Sequence, residues 1–265
     1  MVIIDKEKCI GCGMCVKDCF PRNISIENQK AQIKGPCMHC GHCIAICPVN
    51  AVSIDSYSME EVIEYSKDDF DVDPNNLMNL IKFRRSIRYY KKDPIEKDMI
   101  EKILEAGRYS PTAANLQDVT FIVVQEKLGE FRALIWDSLY DLAVKNVNTE
   151  SLAGVYAPMW IKMYNDYKSG KNDLLFFNAP TIIITTASNP LNGALSSSYI
   201  ELMTNAQGLG ALFSGFIGMA LQNSEASKKL LGIGKKGIVT CMLLGYPDIT
   251  YCRTVPRKKL SLKWK

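Results

Sequence analysis

The chain has 265 residues, 47% of them hydrophobic, and a formal net charge of +4. That length suits a small domain joined to a larger one, and so weak and dispersed a charge argues against a nucleic-acid-binding face. No apolar run reaches the length of a membrane span and no secretory leader precedes Met1-Val2-Ile3-Ile4, so a cytoplasmic protein that binds no membrane is expected.

Residues 1–57 contain an internal repeat. Each half reads as strand, cysteine loop, short helix, strand. Val2-Ile3-Ile4 and Ile24-Ser25-Ile26 flank the first loop, and Gln32-Ile33 and Val52-Ser53-Ile54 flank the second. Eight of the ten cysteines lie in these loops, as Cys9-x2-Cys12-x2-Cys15-x3-Cys19 and Cys37-x2-Cys40-x2-Cys43-x3-Cys47. Gly11, Gly13 and Gly41 stand between ligands, where a loop bends around sulfur without interference from a Cβ. This is the ligand spacing of a two-cluster bacterial ferredoxin, in which the fourth cysteine of each run ligates the other cluster. The spacing therefore assigns Cys9, Cys12, Cys15 and Cys47 to one [4Fe-4S] cluster, and Cys37, Cys40, Cys43 and Cys19 to a second. Zinc sites take four ligands as two separated pairs, and disulfide frameworks belong to secreted chains. Neither describes two identical four-cysteine runs. Oxygen-sensitive clusters imply a reducing, anaerobic cytosol.

The first run continues Cys19-Phe20-Pro21 where the second reads Cys47-Pro48, so a changed local turn is expected there. His39 and His42 lie inside the second loop, where an imidazole could donate to a sulfur and tune its potential.

Residues 58–73 are acidic and free of cysteine and read as a linker, with one helical turn near Met59–Tyr65. Residues 74–265 form the second domain. Asp73-Pro74 is a helix start, a capping acid followed by proline at the first position. Asp93-Pro94-Ile95-Glu96 repeats that signal, ahead of a buried stripe at Met99, Ile100, Ile103 and Leu104. Ser110–Asn115 is a loop. Strands are expected at Phe121–Val124, Thr181–Thr185 and Ile238–Leu244. Residues 130–176 read as mostly helical. Leu195, Tyr199, Leu202, Met203, Ala206 and Leu209 mark a long helix interrupted by Gly208 and Gly210. Long helices around a modest sheet indicate an α+β domain with a central mixed or antiparallel sheet.

Arg84-Arg85-Ser86-Ile87-Arg88 resembles the arginine-rich opening of the nitroreductase family of flavin enzymes. Ser110-Pro111-Thr112-Ala113-Ala114-Asn115-Leu116-Gln117 resembles that family's second segment. Gly208-Leu209-Gly210, Gly245-Tyr246-Pro247 and Arg257-Lys258-Lys259-Leu260 follow in the family's order. The chain thus resembles a ferredoxin–nitroreductase fusion, and the resemblance implies FMN as the cofactor of the second domain. Arginine forks suit its phosphate. Arg84, Arg85, Ser86 and Arg88 are the candidate anchors, with Arg257 and Lys259 approaching from the tail. By similarity Thr112, Asn115 and Gln117 meet the flavin or its ribityl chain, and Phe213-Ser214-Gly215 presents backbone N–H groups to the ring. Where the family continues with Pro-Trp this chain has Asp118-Val119, so an aromatic contact is lost and an acid gained.

The resemblance implies a homodimer and an FMN-dependent oxidoreductase. An external donor such as reduced ferredoxin would feed the clusters, and a small organic acceptor such as a nitro compound or quinone would take electrons from the flavin. The same cofactors could run in the oxidative direction as a dehydrogenase, or serve a non-enzymatic carrier or sensor. No residue is singled out as an acid or base.

Overall fold

The computed structural model describes residues 1–265. The chain forms two compact units, one of Met1–Asp71 with Thr112–Leu116 and the other of Val72–Pro111 with Gln117–Lys265.

The first unit keeps the repeat visible in the sequence. Strand β1 (Val2–Ile4), helix α1 (Met14–Asp18) and strand β2 (Ile24–Glu27) form one half. Strand β3 (Lys30–Ile33), helix α2 (His42–Ala45) and strand β4 (Val52–Ile54) form the other. The pairing crosses the repeat: β1 runs antiparallel to β4, and β2 to β3. Each cysteine loop is thereby clasped by strands of both halves. The core is small, built from Cys9, Cys15, Ile24, Ala31 and Ala51, with Val2, Val52 and Ile54 behind it. A 3-10 turn at Met59–Glu61 and a short helix α3 (Lys67–Phe70) follow within the same unit.

The second unit opens with α4 (Pro74–Phe83), capped as expected by Asp73, whose carboxylate accepts from Asn75 N at 2.7 Å. Helix α5 (Lys97–Arg108) begins three residues later than the Asp93-Pro94 signal suggests. Glu96 is its N-cap residue, with its carboxylate accepting from the Tyr246 hydroxyl at 2.5 Å, and Ile95 before it is buried. Strand β5 (Thr120–Val124) leads to the long helices α6 (Leu128–Asn146) and α7 (Leu152–Lys168), then to β6 (Thr181–Ala187) and α8 (Pro190–Ala206).

Helix α8 stops before Leu209. The chain turns through Gly208, at a φ of 75°, directly into β7 (Gly210–Phe213). The apolar residues after Ala206 therefore belong to a strand, where the periodicity suggested more helix. Helices α9 (Gly215–Asn223) and α10 (Glu225–Leu230) precede β8 (Gly237–Gly245).

The four strands are antiparallel in the order β5-β6-β8-β7. Every residue of the inner strand β6 is buried. Ile182 and Ile184 face one core with Phe131, Trp136, Trp160 and Leu243. Ile183 faces the other with Ile103, Ile200 and Met242. The period-two alternation of β6 thus divides a sheet covered by helices on both faces. No helix is long and apolar enough to cross a membrane.

Candidate functional site

In the first unit each cavity collects the four cysteines that the spacing assigned to it. Cys9, Cys12, Cys15 and Cys47 line one cavity, together with Ile4 and Val52. Cys19, Cys37, Cys40 and Cys43 line a second. The crossing of Cys19 and Cys47 is produced by α1 and α2, which carry the last cysteine of each run away from its own loop. No three side chains converge closely enough to hold a single ion; the thiols instead surround a void, as the corners of a cluster require. All eight are free of disulfides.

Local backbone supports this arrangement. Gly11 has a φ of +67°, and a Cβ there would stand 2.1 Å from the Gln29 carbonyl, so only glycine lets the first loop pass. Amide donors point at the sulfurs. Ala31 N donates to Cys9 Sγ at 3.4 Å, His39 N to Cys37 Sγ at 3.3 Å and Ala51 N to Cys47 Sγ at 3.2 Å. The Ala31 amide, helped by that of Gly11, holds the Cys9 thiol below its usual range. Burial raises Cys15, and burial with the neighbouring Cys37 and Cys40 pushes Cys43 up to about 11. A cysteine that ligates a metal does so as the thiolate, so cluster binding would displace these protons. The donor set and cavities fit two clusters.

The displaced proline after Cys19 leaves the turn unchanged. Arg22 N donates to Cys19 O at 2.9 Å and Asn50 N reaches Cys47 O at 3.5 Å, with φ near 55° and 50° at the two donors. The His42 imidazole stands 3.0 Å from Asp18, and the sulfur donor at His39 is its backbone N–H. Those amide donors carry no side-chain signature, so sequence reasoning missed them.

In the second unit the arginine segment runs beside β7. Ser86 bridges Ala211 in parallel, and Ile87 N donates to Ala211 O at 3.0 Å. Gly210 makes this approach possible, because a Cβ there would meet Ile87 Cγ1 at 2.5 Å. Two residues beyond Ala211 the strand ends, and Ser214 caps α9 by accepting from Ile217 N at 3.4 Å. The fold therefore gathers Arg84, Arg85, Ser86 and Arg88 beside the strand that leads to Ser214 and Gly215.

These groups are not equivalent. Arg84 pairs with Glu201 of α8 at 2.8 Å, a partner that the sequence did not reveal. Arg85 donates to the carbonyls of Arg84 and Lys82, while its buried Nε has no acceptor. Arg88 is exposed and unpaired. An orphaned guanidinium nitrogen next to an unpaired arginine fits an anion supplied from outside the chain. Arg257 and Lys259 lie exposed in a tail without helix or strand, and no hydrogen bond or ion pair ties them to this segment.

The segment 112–117 is divided. Thr112–Leu116 belongs to the first compact unit and Gln117 to the second. Ala114, Asn115 and Gln117 all take φ between 44° and 54°, a conformation that residues with a Cβ adopt sparingly. The Asn115 amide donates to the Met38 and His39 carbonyls, each at 3.0 Å. Asp118, the acid gained where the family has Pro-Trp, accepts from Ser188 N, Asn189 N and Asn192 Nδ2 at 2.8, 3.1 and 2.7 Å. It thereby holds the segment that leads into α8, whose N-cap is Asn189, and these bonds, chiefly that from Asn192, hold its carboxyl below the usual range.

Comparison with known proteins agrees with both halves. A 43-residue stretch, 16% of the chain, is 46% identical to an NADH dehydrogenase of Thermus thermophilus and spans only 21% of that protein's length. The chain is 24% identical over 202 residues to an iodotyrosine deiodinase of Hydra vulgaris, covering 72% of this chain and 70% of that one. A nitroreductase with bound FMN from Desulfitobacterium hafniense superposes with a TM-score of 0.54 at 21% identity, covering 72% of this chain and 99% of that one. Residues 1–48 match the 4Fe-4S dicluster domain. Residues 81–246, more than half of the chain, match the nitroreductase family model, and the protein is a member of that family with an iron–sulfur domain at its N-terminus.

Proposed function

We propose that the protein is an FMN-dependent oxidoreductase whose flavin receives electrons through two [4Fe-4S] clusters and passes them to a small organic acceptor. The observation that carries this reading is the pair of four-cysteine cavities in a chain that also has the nitroreductase fold. When bound, the clusters move single electrons and FMN exchanges one or two, so together they join a one-electron donor to a two-electron reduction.

The chain's own residues supply binding and charge. Cys9, Cys12, Cys15 and Cys47 would hold one cluster, and Cys37, Cys40, Cys43 and Cys19 the other. Arg85 and Arg88, with Ser86, would hold the FMN phosphate. Arg84, already paired with Glu201, would fix the segment rather than neutralise the ligand. Ser214 and Gly215, at the N-terminus of α9, would present backbone N–H groups to the ring, and positive charge nearby favours a reduced, anionic flavin.

A second copy of the chain is part of this reading. Helix α4 has no buried residue and leaves Leu77, Met78 and Ile81 exposed, as the tail leaves Leu260, Leu262 and Trp264. Apolar surface of this extent suits a homodimer. A reduced ferredoxin is the donor class proposed, in the cytoplasm. The acceptors to try are a nitroaromatic, a quinone and, given the deiodinase relative, an iodinated phenol.

The deciding experiment is anaerobic purification with iron, sulfide and flavin counts, followed by rapid mixing with reduced ferredoxin. About eight irons and one FMN per chain, with flavin bleaching after cluster bleaching, are expected. Flavin that stays oxidised while the clusters are reduced would refute the proposed route.

A further inference from the structure

Asn115 stands in the segment whose family resemblance points to flavin, yet its side-chain donors are used elsewhere. The Nδ2 group donates to Met38 O and to His39 O, both at 3.0 Å. One amide nitrogen carries two hydrogens, so both are committed. Met38 and His39 are the two residues between Cys37 and Cys40. His39 holds a φ of 52°, and its N–H donates to Cys37 Sγ at 3.3 Å. A histidine keeps that left-handed conformation only when its surroundings hold it. Its ring also meets Tyr57 edge-on, with centroids 6.2 Å apart.

We propose that Asn115 is a positioning residue for the second cluster: by gripping the carbonyls of Met38 and His39 it keeps the His39 amide on the Cys37 sulfur and so raises that cluster's reduction potential. A hydrogen bond to a ligating sulfur stabilises the more negative, reduced cluster, and losing it lowers the potential. The first loop lacks such a clamp. Its corresponding residues are Ile10 and Gly11, no side chain grips their carbonyls, and Cys9 is served by the amides of Gly11 and of Ala31 in the adjacent strand. The effect is therefore confined to one of the two sites, and loss of the clamp shifts the second cluster's midpoint alone. This inference rests on the iron–sulfur reading above.

The test is an anaerobic redox titration of the full-length holoprotein, followed by electron paramagnetic resonance, for wild type, Asn115→Leu and Asn115→Ala. In both variants one cluster midpoint should move to a more negative value while the other stays in place. The exchangeable-proton coupling assigned to the His39 amide should weaken with it. Asn115→Gln, which keeps a donor, should recover part of the shift. Two unchanged midpoints would overturn the proposal, and unchanged midpoints with loss of FMN would assign the side chain to the flavin instead. Wild-type protein without two reducible signals would refute the iron–sulfur reading itself, and is seen before any variant is made.

Discussion

The Arg84 guanidinium lies 2.8 Å from the Glu201 carboxylate, with a quarter of the Arg84 side chain and 13% of the Glu201 side chain exposed. The first arginine of the phosphate-binding candidates is therefore already neutralised by α8. Partial burial means that each charge relies on the other more than a surface pair would.

Replacing Arg84 by alanine leaves Glu201 half-buried and unpaired, and should lower the stability of the second unit by about 1–3 kcal/mol. Glu201→Gln, which keeps an acceptor oxygen, should cost less. Urea unfolding of flavin-free protein measures both. Equal costs would show that the pair is not holding the segment.

FMN affinity should divide the same three arginines differently. Arg85→Ala or Arg88→Ala should weaken FMN about tenfold or more, the worth of one charge-assisted hydrogen bond. Arg84→Ala should weaken it less. Quenching of flavin fluorescence during titration gives the dissociation constants, and a ranking with Arg84 first would remove Arg85 and Arg88 as the phosphate anchors.

The crossed ligand sets make a pairing prediction. Cys47 lines the cavity of Cys9, and Cys19 that of Cys40. Cys47→Ala and Cys9→Ala should therefore abolish the same paramagnetic signal, and Cys19→Ala and Cys40→Ala the other. If Cys47→Ala and Cys40→Ala erase one signal together, the ligands are not crossed.

Gly210 should not accept a side chain. A valine there would drive Ile87 away from β7, displacing Arg85 and Ser86 with it. A loss of about 1–3 kcal/mol is expected from the overpacking, along with reduced FMN retention. Thermal melting and flavin content on purification report the two effects. Unaltered values would mean that the segment is anchored elsewhere.

Asp118 gives the second unit an acid-sensitive tie to the start of α8. Its carboxyl pKa is lowered in the folded chain by Asn192, Asn189 and Ser188. The stabilisation is therefore present above the ordinary carboxylate range and disappears as pH falls through the lowered value. Asp118→Ala should cost about 0.5–1.5 kcal/mol at neutral pH and progressively less below pH of about 4. Urea midpoints across that range decide it, and a penalty independent of pH would contradict a role for the ionised carboxylate.

Much of this was legible in the residues. The cysteine spacing is dictated by the geometry of a cluster, and the structure groups the thiols in the same two crossed sets, Cys47 with Cys9 and Cys19 with Cys40. The three strands Phe121–Val124, Thr181–Thr185 and Ile238–Leu244 showed because each is a short apolar run, and all three appear in the sheet. The strand Gly210–Phe213 did not show. It is only four residues long, follows a helix of like composition, and starts on a glycine whose role is to admit Ile87. Glu201 and Asp118 were equally silent, because each acts on a residue far away in the chain. Asn115 was visible as a family motif, but its partners Met38 and His39 could be found only in three dimensions.

The two units differ in what keeps them folded. The sheet and its helices enclose Phe131, Trp136, Trp160 and Phe176 without help from any prosthetic group. The N-terminal unit has a small interior in which the thiols Cys9, Cys15, Cys19, Cys43 and Cys47 pack among Ile24, Ala31 and Ala51. Oxygen that strips the inorganic sulfide would therefore loosen that interior as well as cut the wire, and the molecule would age from one end: a weakened N-terminal third attached to an intact larger fold.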